Sequence, residues 1–228
     1  MKTAFPGQKI EILYAGTGPF TPFALAMTGH YRSDEIQFTA LDIHLQSLDA
    51  LRKIVTELNL KAYFRDYVQC DATTYTVASP PHIVITETMH RTVSREPHTA
   101  ITLNLAPQLV RNGVFIPERV TVNASMSITD KEIEYLNGSL SEEEIHNVRV
   151  SIGTVFELSQ TTDYNTTEDG NALVCASVTI PECACEKNEL VLSTRLQLFG
   201  PIHLEEKESG ITQPLLARDI DRLAASDG

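Results

Sequence analysis

The stretch Glu11–Phe20, EILYAGTGPF, constrains this chain more than any other. An apolar run, Ile12-Leu13-Tyr14-Ala15, stops at Gly16-Thr17-Gly18, and Pro19 then opens a helix-like segment, FTPFALAMTG. Strand, glycine turn and helix start predict a βα unit that brings a ligand against bare backbone N–H groups at a positive helix end. Glycine is needed there because a Cβ would hold the ligand away. Pro19 suits a first helical position, whose N–H has no partner in any case. A Gly-x-Gly alone also serves ordinary βα turns, so the rest of the chain has to decide.

Beyond the turn, the first half alternates strand and helix. Ile36–Asp42 (IQFTALD) reads as a buried strand ending in an acid. Leu45–Leu60 places Leu45, Leu48, Leu51, Ile54, Val55 and Leu58 on one face at helical spacing. Ala62–Cys70 is strand-like and ends at Asp71-Ala72. His82–Glu87 (HIVITE) is a short apolar strand, again ending in an acid. Thr99–Val110 reads as helix, and Asn112-Gly113 turns the chain into Val114-Phe115-Ile116. This alternation implies a mostly parallel sheet with right-handed crossovers, the Rossmann-like α/β arrangement, in which ligands lie outside the carboxyl ends of the strands. Gly16, Gly18, Asp42, Asp71 and Glu87 all fall at that edge.

The second half changes character near Pro117–Arg119. Val120–Ser127, Val148–Leu158, Ala172–Ile180 and Leu190–Leu198 alternate apolar and polar residues, which predicts an antiparallel β-barrel or sandwich. Ser141-Glu142-Glu143-Glu144 has the form of a capping box for one helix over Glu142–Asn147. The expected domains are 1–118, α/β, and 119–228, β.

Charge separates the halves too. Residues 1–119 carry 11 acidic and 11 basic side chains, whereas 120–228 carry 19 and 7, the whole net charge of −12. An acidic half repels phosphate backbones, which argues against nucleic acid as partner and leaves room for a basic one. No apolar run approaches the ~20 residues of a membrane span, and MKTAFPGQ lacks a signal-peptide core. Cys70, Cys175, Cys183 and Cys185 do not form a disulfide framework in a chain of 228 residues, so a cytoplasmic setting is expected. Cys183-Ala-Cys185 lacks the second pair that a zinc site uses, and no metal is expected.

Three ligand classes use such a glycine loop. A phosphate-binding P-loop needs Lys and then Ser or Thr after its glycines, but Gly18 is followed by Pro19-Phe20. Dinucleotide sites use G-x-G-x-x-G, and position 21 is threonine. S-adenosylmethionine needs the first close approach and an acid ending strand 2 for the ribose hydroxyls. Asp42, 24 residues beyond Gly18, supplies that acid, and Asp71-Ala72 is placed for the adenine. Asp42 also suits a structural role at the start of the following helix.

At Thr86–Pro97, TETMHRTVSREP, the chain begins to resemble the protein arginine methyltransferase family, which carries two glutamates after strand 4. Glu87 and Glu96 stand nine residues apart in the matching place. Leu105–Val122 (LAPQLVRNGVFIPERVTV) is similar to the family's helix, turn, strand and Pro-x-Arg entry into its β-barrel, and AGTGPF to the Gly-x-Gly-Pro loop of its symmetric-dimethylating branch. The resemblance covers roughly residues 10–128. It implies a methyltransferase domain followed by a β-barrel, with Tyr14, Gly16, Thr17, Gly18, Pro19, Asp42, Asp71 and Ala72 around S-adenosylmethionine. Glu87 and Glu96 would clamp the acceptor. Guanidinium is planar and permanently charged, and its N–H forks match carboxylates.

The chain also departs from the family. Tyr14 stands where the family has an acid two positions before the first loop glycine. There is no tryptophan, so the Thr-His-Trp substrate loop is missing, with His203 in its general neighbourhood. The family's helices before strand 1 have no room ahead of Ile10, and Ile128–Asn147 is the only stretch that suits a shortened dimerisation arm. The acceptor is therefore expected to be a protein or a small molecule, with homo-oligomers compatible. Alternatives are a small-molecule N- or O-methyltransferase and a non-catalytic binding subunit.

Overall fold

The computed structural model describes residues 4–93, 97–162, 178–182 and 187–216. They divide into two compact units. One holds the chain to Met89, the segment ending at Glu118, and Ser159–Thr161; the other holds His90, Arg119–Leu158 and the residues from Thr162 onward.

The first unit alternates β1 (Ile10–Ala15), α1 (Pro22–Thr28), β2 (Ile36–Asp42), α2 (Leu45–Glu57), β3 (Phe64–Gln69), β4 (Ile83–Thr86), α3 (His98–Leu105) and β5 (Val114–Ile116). The sheet order is β3-β2-β1-β4-β5, and every pairing is parallel. β1 is central: Tyr14 lies opposite Ala40 on one side and Ile85 on the other. Its side chains therefore feed two cores. Ile12 and Tyr14 pack with Ala24 of α1 and with Leu48, Leu51 and Val55 of α2. Leu13 and Ala15 pack with Ile101 and Leu105 of α3 and with Phe115. A strand buried on both faces has to be apolar at every position, which is why Ile12–Ala15 reads as a run rather than an alternation.

Some boundaries differ from the sequence reading. α2 stops at Glu57 because Asn59 takes a left-handed conformation (φ 57°), while Leu60 N–H bonds back to the Val55 carbonyl at 2.8 Å. That closure ends the helix and leaves Leu58 exposed. α3 ends at Leu105 and tightens into a 3-10 turn, Ala106–Gln108, around its proline. The helix after the glycine turn opens on Pro22, not Pro19. Thr21 precedes it in a left-handed conformation (φ 34°), so Gly16–Phe20 is a longer irregular turn than expected.

In the second unit, β6 (Arg119–Ser127) is followed by α4 (Thr129–Leu136), α5 (Glu142–Val148), β7 (Val150–Ser159), β8 (Glu189–Phe199), β9 (Ile202–Leu204) and β10 (Leu215–Leu216). The strand order is β10-β8-β6-β7, with β9 on β8; β6, β9 and β10 each run antiparallel to β8. The Ser141 capping box is formed: its hydroxyl accepts from Glu144 N–H, and the Glu144 carboxylate accepts from Ser141 N–H at 2.8 Å. Ile128–Asn147, the stretch that suits an arm, forms α4 and all of α5 but its last residue. Of the strand expected over Ala172–Ile180, positions 172–177 lie outside the described residues, and Val178–Ile180 are not strand. Cys175, Cys183 and Cys185 lie outside them too. Among the described residues, no helix is long and apolar enough to cross a membrane, and no cluster of potential metal ligands forms.

Candidate functional site

The strand order reverses at β1: the chain runs outward through β2 and β3 on one side, then returns to β4 and β5 on the other. The loops at the carboxyl ends of β1 and β4 therefore diverge toward opposite faces, and the switch point between them is the position where open α/β sheets have their ligand crevice. The glycine turn, the end of β2, the loop after β3 and Glu87 all meet along this edge.

Asp42 is the last residue of β2 and is buried. Its Oδ2 accepts the Gly18 N–H at 2.9 Å, and its Oδ1 accepts the His44 N–H at 2.8 Å. The carboxylate thus spans the turn after β1 and the entry to α2. The Leu41 carbonyl accepts from Gly16 N–H (2.9 Å) and from Thr17 N–H (3.4 Å). All three amides of Gly16-Thr17-Gly18 are consequently engaged by β2. The turn does not present bare N–H groups, because the neighbouring parallel strand extends far enough to pair with them.

The two glycines have different reasons to be glycine. Both take positive φ, 72° at Gly16 and 53° at Gly18. A Cβ on Gly16 would overlap the Thr88 methyl and come within 3.3 Å of the Glu87 carbonyl oxygen, whereas one on Gly18 would meet nothing within 4 Å. Gly16 allows the β4 loop to close on the turn, and Gly18 faces open space. Between them Thr17 is buried, and its hydroxyl has no hydrogen-bond partner; Thr21 is in the same state. Pro19 is half-buried in the turn.

Glu87 follows β4 directly. Its N–H donates to the Ala15 carbonyl at 3.1 Å, which fixes it beside the glycine turn. Its side chain is exposed, and Oε2 accepts the Tyr14 hydroxyl at 2.5 Å. Tyr14 itself is 0% exposed. Burial, and then the hydrogen bond to Glu87, push its phenol well above the ordinary tyrosine range, so it stays protonated and donating. Thr86 and Thr88 bracket the acid and join hydroxyls at 2.6 Å. Glu96 lies outside the described residues.

Asp71 begins the loop after β3, and Cys70 N–H donates to the Asp42 carbonyl at 3.1 Å, bringing that loop alongside β2. The exposed Asp71 carboxylate accepts from the N–H and hydroxyl of Thr73, which holds it below the usual carboxylate range. Ala72 is buried, and its carbonyl accepts from Asn104 Nδ2 at 2.9 Å; the same amide donates to the Tyr75 carbonyl at 2.9 Å. Asn104 of α3 thereby sets the shape of the loop. His44, Thr88 and Asn104 escaped the sequence reading.

His98 opens α3 just after the Glu87–Glu96 segment. It is 1% exposed, its Nδ1 has no partner, and burial lowers its pKa to about 4. His203 is exposed on β9, with Nδ1 against the Pro201 carbonyl and Nε2 3.2 Å from Glu205. A separate groove of about 830 Å³ lies wholly in the second unit, between Asn123, Ser125 and Ser193 of the sheet and α5.

No family model matches the sequence, and no curated protein matches it at a significant level. Solved structures do match. One is the Trypanosoma brucei PRMT1 enzyme–prozyme heterotetrameric complex with AdoHcy, at a TM-score of 0.59 and 11% identity, covering 94% of this chain and 77% of that one. Another is Arabidopsis thaliana protein arginine methyltransferase 10 in an open conformation, at 0.57 and 13%, covering 92% and 69%. This chain has the protein arginine methyltransferase fold. The parallel five-stranded sheet and the antiparallel sheet that follows match the methyltransferase and barrel domains of those enzymes. At such identities the likeness speaks for the fold, and the chemistry has to be argued from the crevice.

Proposed function

We propose that the chain is an S-adenosylmethionine-dependent methyltransferase acting on nitrogen, with a guanidinium group as its first candidate acceptor. Residues 1–118 would carry the cofactor and 119–228 the β domain, in a cytoplasmic setting. The observation that carries the reading is the position of Glu87: an acid pinned by its backbone to β1, one residue before the glycine turn, at the topological switch point.

The residues present fit the cofactor. Asp42 has lone pairs beyond the two amides it accepts, directed to the turn, and suits ribose hydroxyls. The open space over Gly18 leaves room for it beside the turn. The loop of Asp71 and Ala72, stitched by Asn104, offers an edge for the adenine. When bound, adenosylmethionine supplies an electrophilic methyl on a sulfonium. Glu87, with Glu96, would hold the planar cation, orient one nitrogen and balance its charge. Holding and aligning the nucleophile accounts for several of the roughly 7–11 kcal/mol available to proximity.

One observation favours a second reading, a binding subunit without transfer: Glu87 Oε2 is already taken by a phenol at 2.5 Å, where the family has an acid instead of Tyr14. Calorimetry with adenosylmethionine, followed by radiolabel transfer to arginine-rich peptides and to small guanidines and amines, separates the two. The expected result is cofactor binding, and transfer that falls about 100-fold or more in Glu87→Gln with cofactor affinity retained. Binding without transfer to any acceptor selects the subunit; absence of cofactor binding ends the methyltransferase reading.

A further inference from the structure

We infer that Tyr14 is a positioning residue of the acceptor half of the site: its phenol, rooted in the core of the first unit, fixes the Glu87 carboxylate in place beside the glycine turn. The inference rests on the methyl-transfer reading above and assigns position 14 to the acceptor rather than to the cofactor.

The geometry is unequal at the two ends of this hydrogen bond. Tyr14 lies on the central strand, between Ala40 and Ile85, with its ring 6.4 Å from that of Phe23 and no exposed surface. Glu87 is exposed, and among the described residues the Tyr14 phenol is the side-chain hydrogen-bond partner of its carboxylate. A solvated glutamate samples many rotamers, and ordering one costs side-chain entropy. A phenol held by core packing and donating at 2.5 Å removes that freedom before any ligand arrives, as a short O–H···O⁻ bond does. Oε1 remains open, and Oε2 keeps a second lone pair, so the carboxylate can still accept from an N–H fork.

Position 14 and position 87 are also chemically linked. An acid at 14 would stand beside Glu87, and two carboxylates at that range cannot both ionise freely. A neutral donor there adds no second negative charge beside Glu87. Tyr14 thus trades a contact to the cofactor for an oriented carboxylate.

Tyr14→Phe removes one oxygen and keeps the ring that fills the core. Calorimetry on the full chain, wild type and variant, uses AdoHcy for the cofactor half and methylguanidinium for the acceptor half. Ultraviolet difference spectra follow tyrosine near 290 nm; because the chain has seven tyrosines, the wild-type-minus-variant signal isolates Tyr14. The expected result is unchanged AdoHcy affinity, methylguanidinium affinity weakened about tenfold, and a methylguanidinium-induced tyrosine band that vanishes in the variant. Weakened AdoHcy binding with methylguanidinium unaffected overturns the assignment and returns Tyr14 to the cofactor. No change in either ligand also overturns it, reducing Tyr14 to core packing. A wild type that binds neither ligand defeats the methyl-transfer reading itself and takes the acceptor role down with it; that outcome differs from the others because it needs no variant.

Discussion

Acidification tests the burial of His98 directly. The imidazole is 1% exposed, has an unpartnered Nδ1, and titrates at about 4 in the folded chain, against an ordinary 6.5. Because the folded pKa is depressed, the unfolded chain binds the proton first as pH falls. The stability held by neutral His98 is complete above pH 6.5, is lost progressively between 6.5 and 4, and falls no further below that. The gap of about 2.5 units corresponds to about 3 kcal/mol in full, of which about 2 kcal/mol is lost between pH 7.5 and pH 5. Urea unfolding followed by circular dichroism at those two pH values measures it. Other groups titrate in the same window, so the quantity to compare is the difference from His98→Leu and His98→Asn, which cannot take the proton. Wild type should lose about 2 kcal/mol more than either variant. Equal losses in all three chains would refute the reasoning, because they would mean that the ring is solvated or hydrogen-bonded when protonated.

Two further perturbations address the turn and the second unit. Gly18→Ala should cost about 1–2 kcal/mol, the penalty of a left-handed Cβ in open space. Gly16→Ala should cost at least twice that, because its Cβ also displaces Thr88 and the Glu87 backbone, and it alone should weaken methylguanidinium binding; equal costs by urea unfolding would contradict the difference in surroundings. Arg149 donates to both oxygens of Glu132, which is 0% exposed, at 2.7 and 2.8 Å, and to Glu206 at 2.9 Å. Burial alone would lower its pKa, but the bonds to Glu132 and Glu206 prevail and hold it above the ordinary arginine value. Arg149→Met should destabilise by about 3–5 kcal/mol by stranding a buried carboxylate, and adding Glu132→Gln should recover part of that; no recovery in thermal melts would show that the packing of Arg149, not its charge, matters.

The sequence was most legible where one residue's neighbours in the chain decide its fate. Ile36–Asp42 is strand from end to end as read, because alternating burial and a terminal acid are local signals. The Ser141 box is local as well. Asp42 at the end of β2 and Glu87 directly after β4 stand where the sequence puts them for the same reason, each closing an apolar run. Hidden from the sequence were contacts created by strand pairing. Tyr14 and Glu87 are 73 residues apart and meet only because β4 lies beside β1. The engagement of Gly16 and Thr17 depends on β2 reaching as far as Leu41 opposite Ala15. Pro19 was a reasonable helix start until Pro22, three residues on, offered the same fixed φ nearer to the apolar residue Ala24 that the core needs. α4 was missed because Thr129–Leu136 carries only Ile133, Tyr135 and Leu136 as apolar residues, and its fold rests on Tyr135 packing under Arg149 and Lys207.

These contacts change what the glycine turn is for. A turn with free amides recognises a ligand by donating to it; here β2 consumes those donors through the Leu41 carbonyl and the Asp42 carboxylate. On the proposed reading, recognition at the switch point would pass to side chains: Asp42 at the end of β2, and Glu87, held by the Tyr14 hydroxyl, after β4. The glycines remain necessary, but for geometry, Gly16 so that the β4 loop can close and Gly18 so that the chain can turn left-handed into open space. Asp42 carries two duties at once, tying the turn to β2 and facing the crevice. Removing its charge should consequently loosen the turn and the ligand together, whereas removing that of Glu87 should touch the acceptor alone. That asymmetry would distinguish the proposed two-ligand site from a turn that merely connects a strand to a helix.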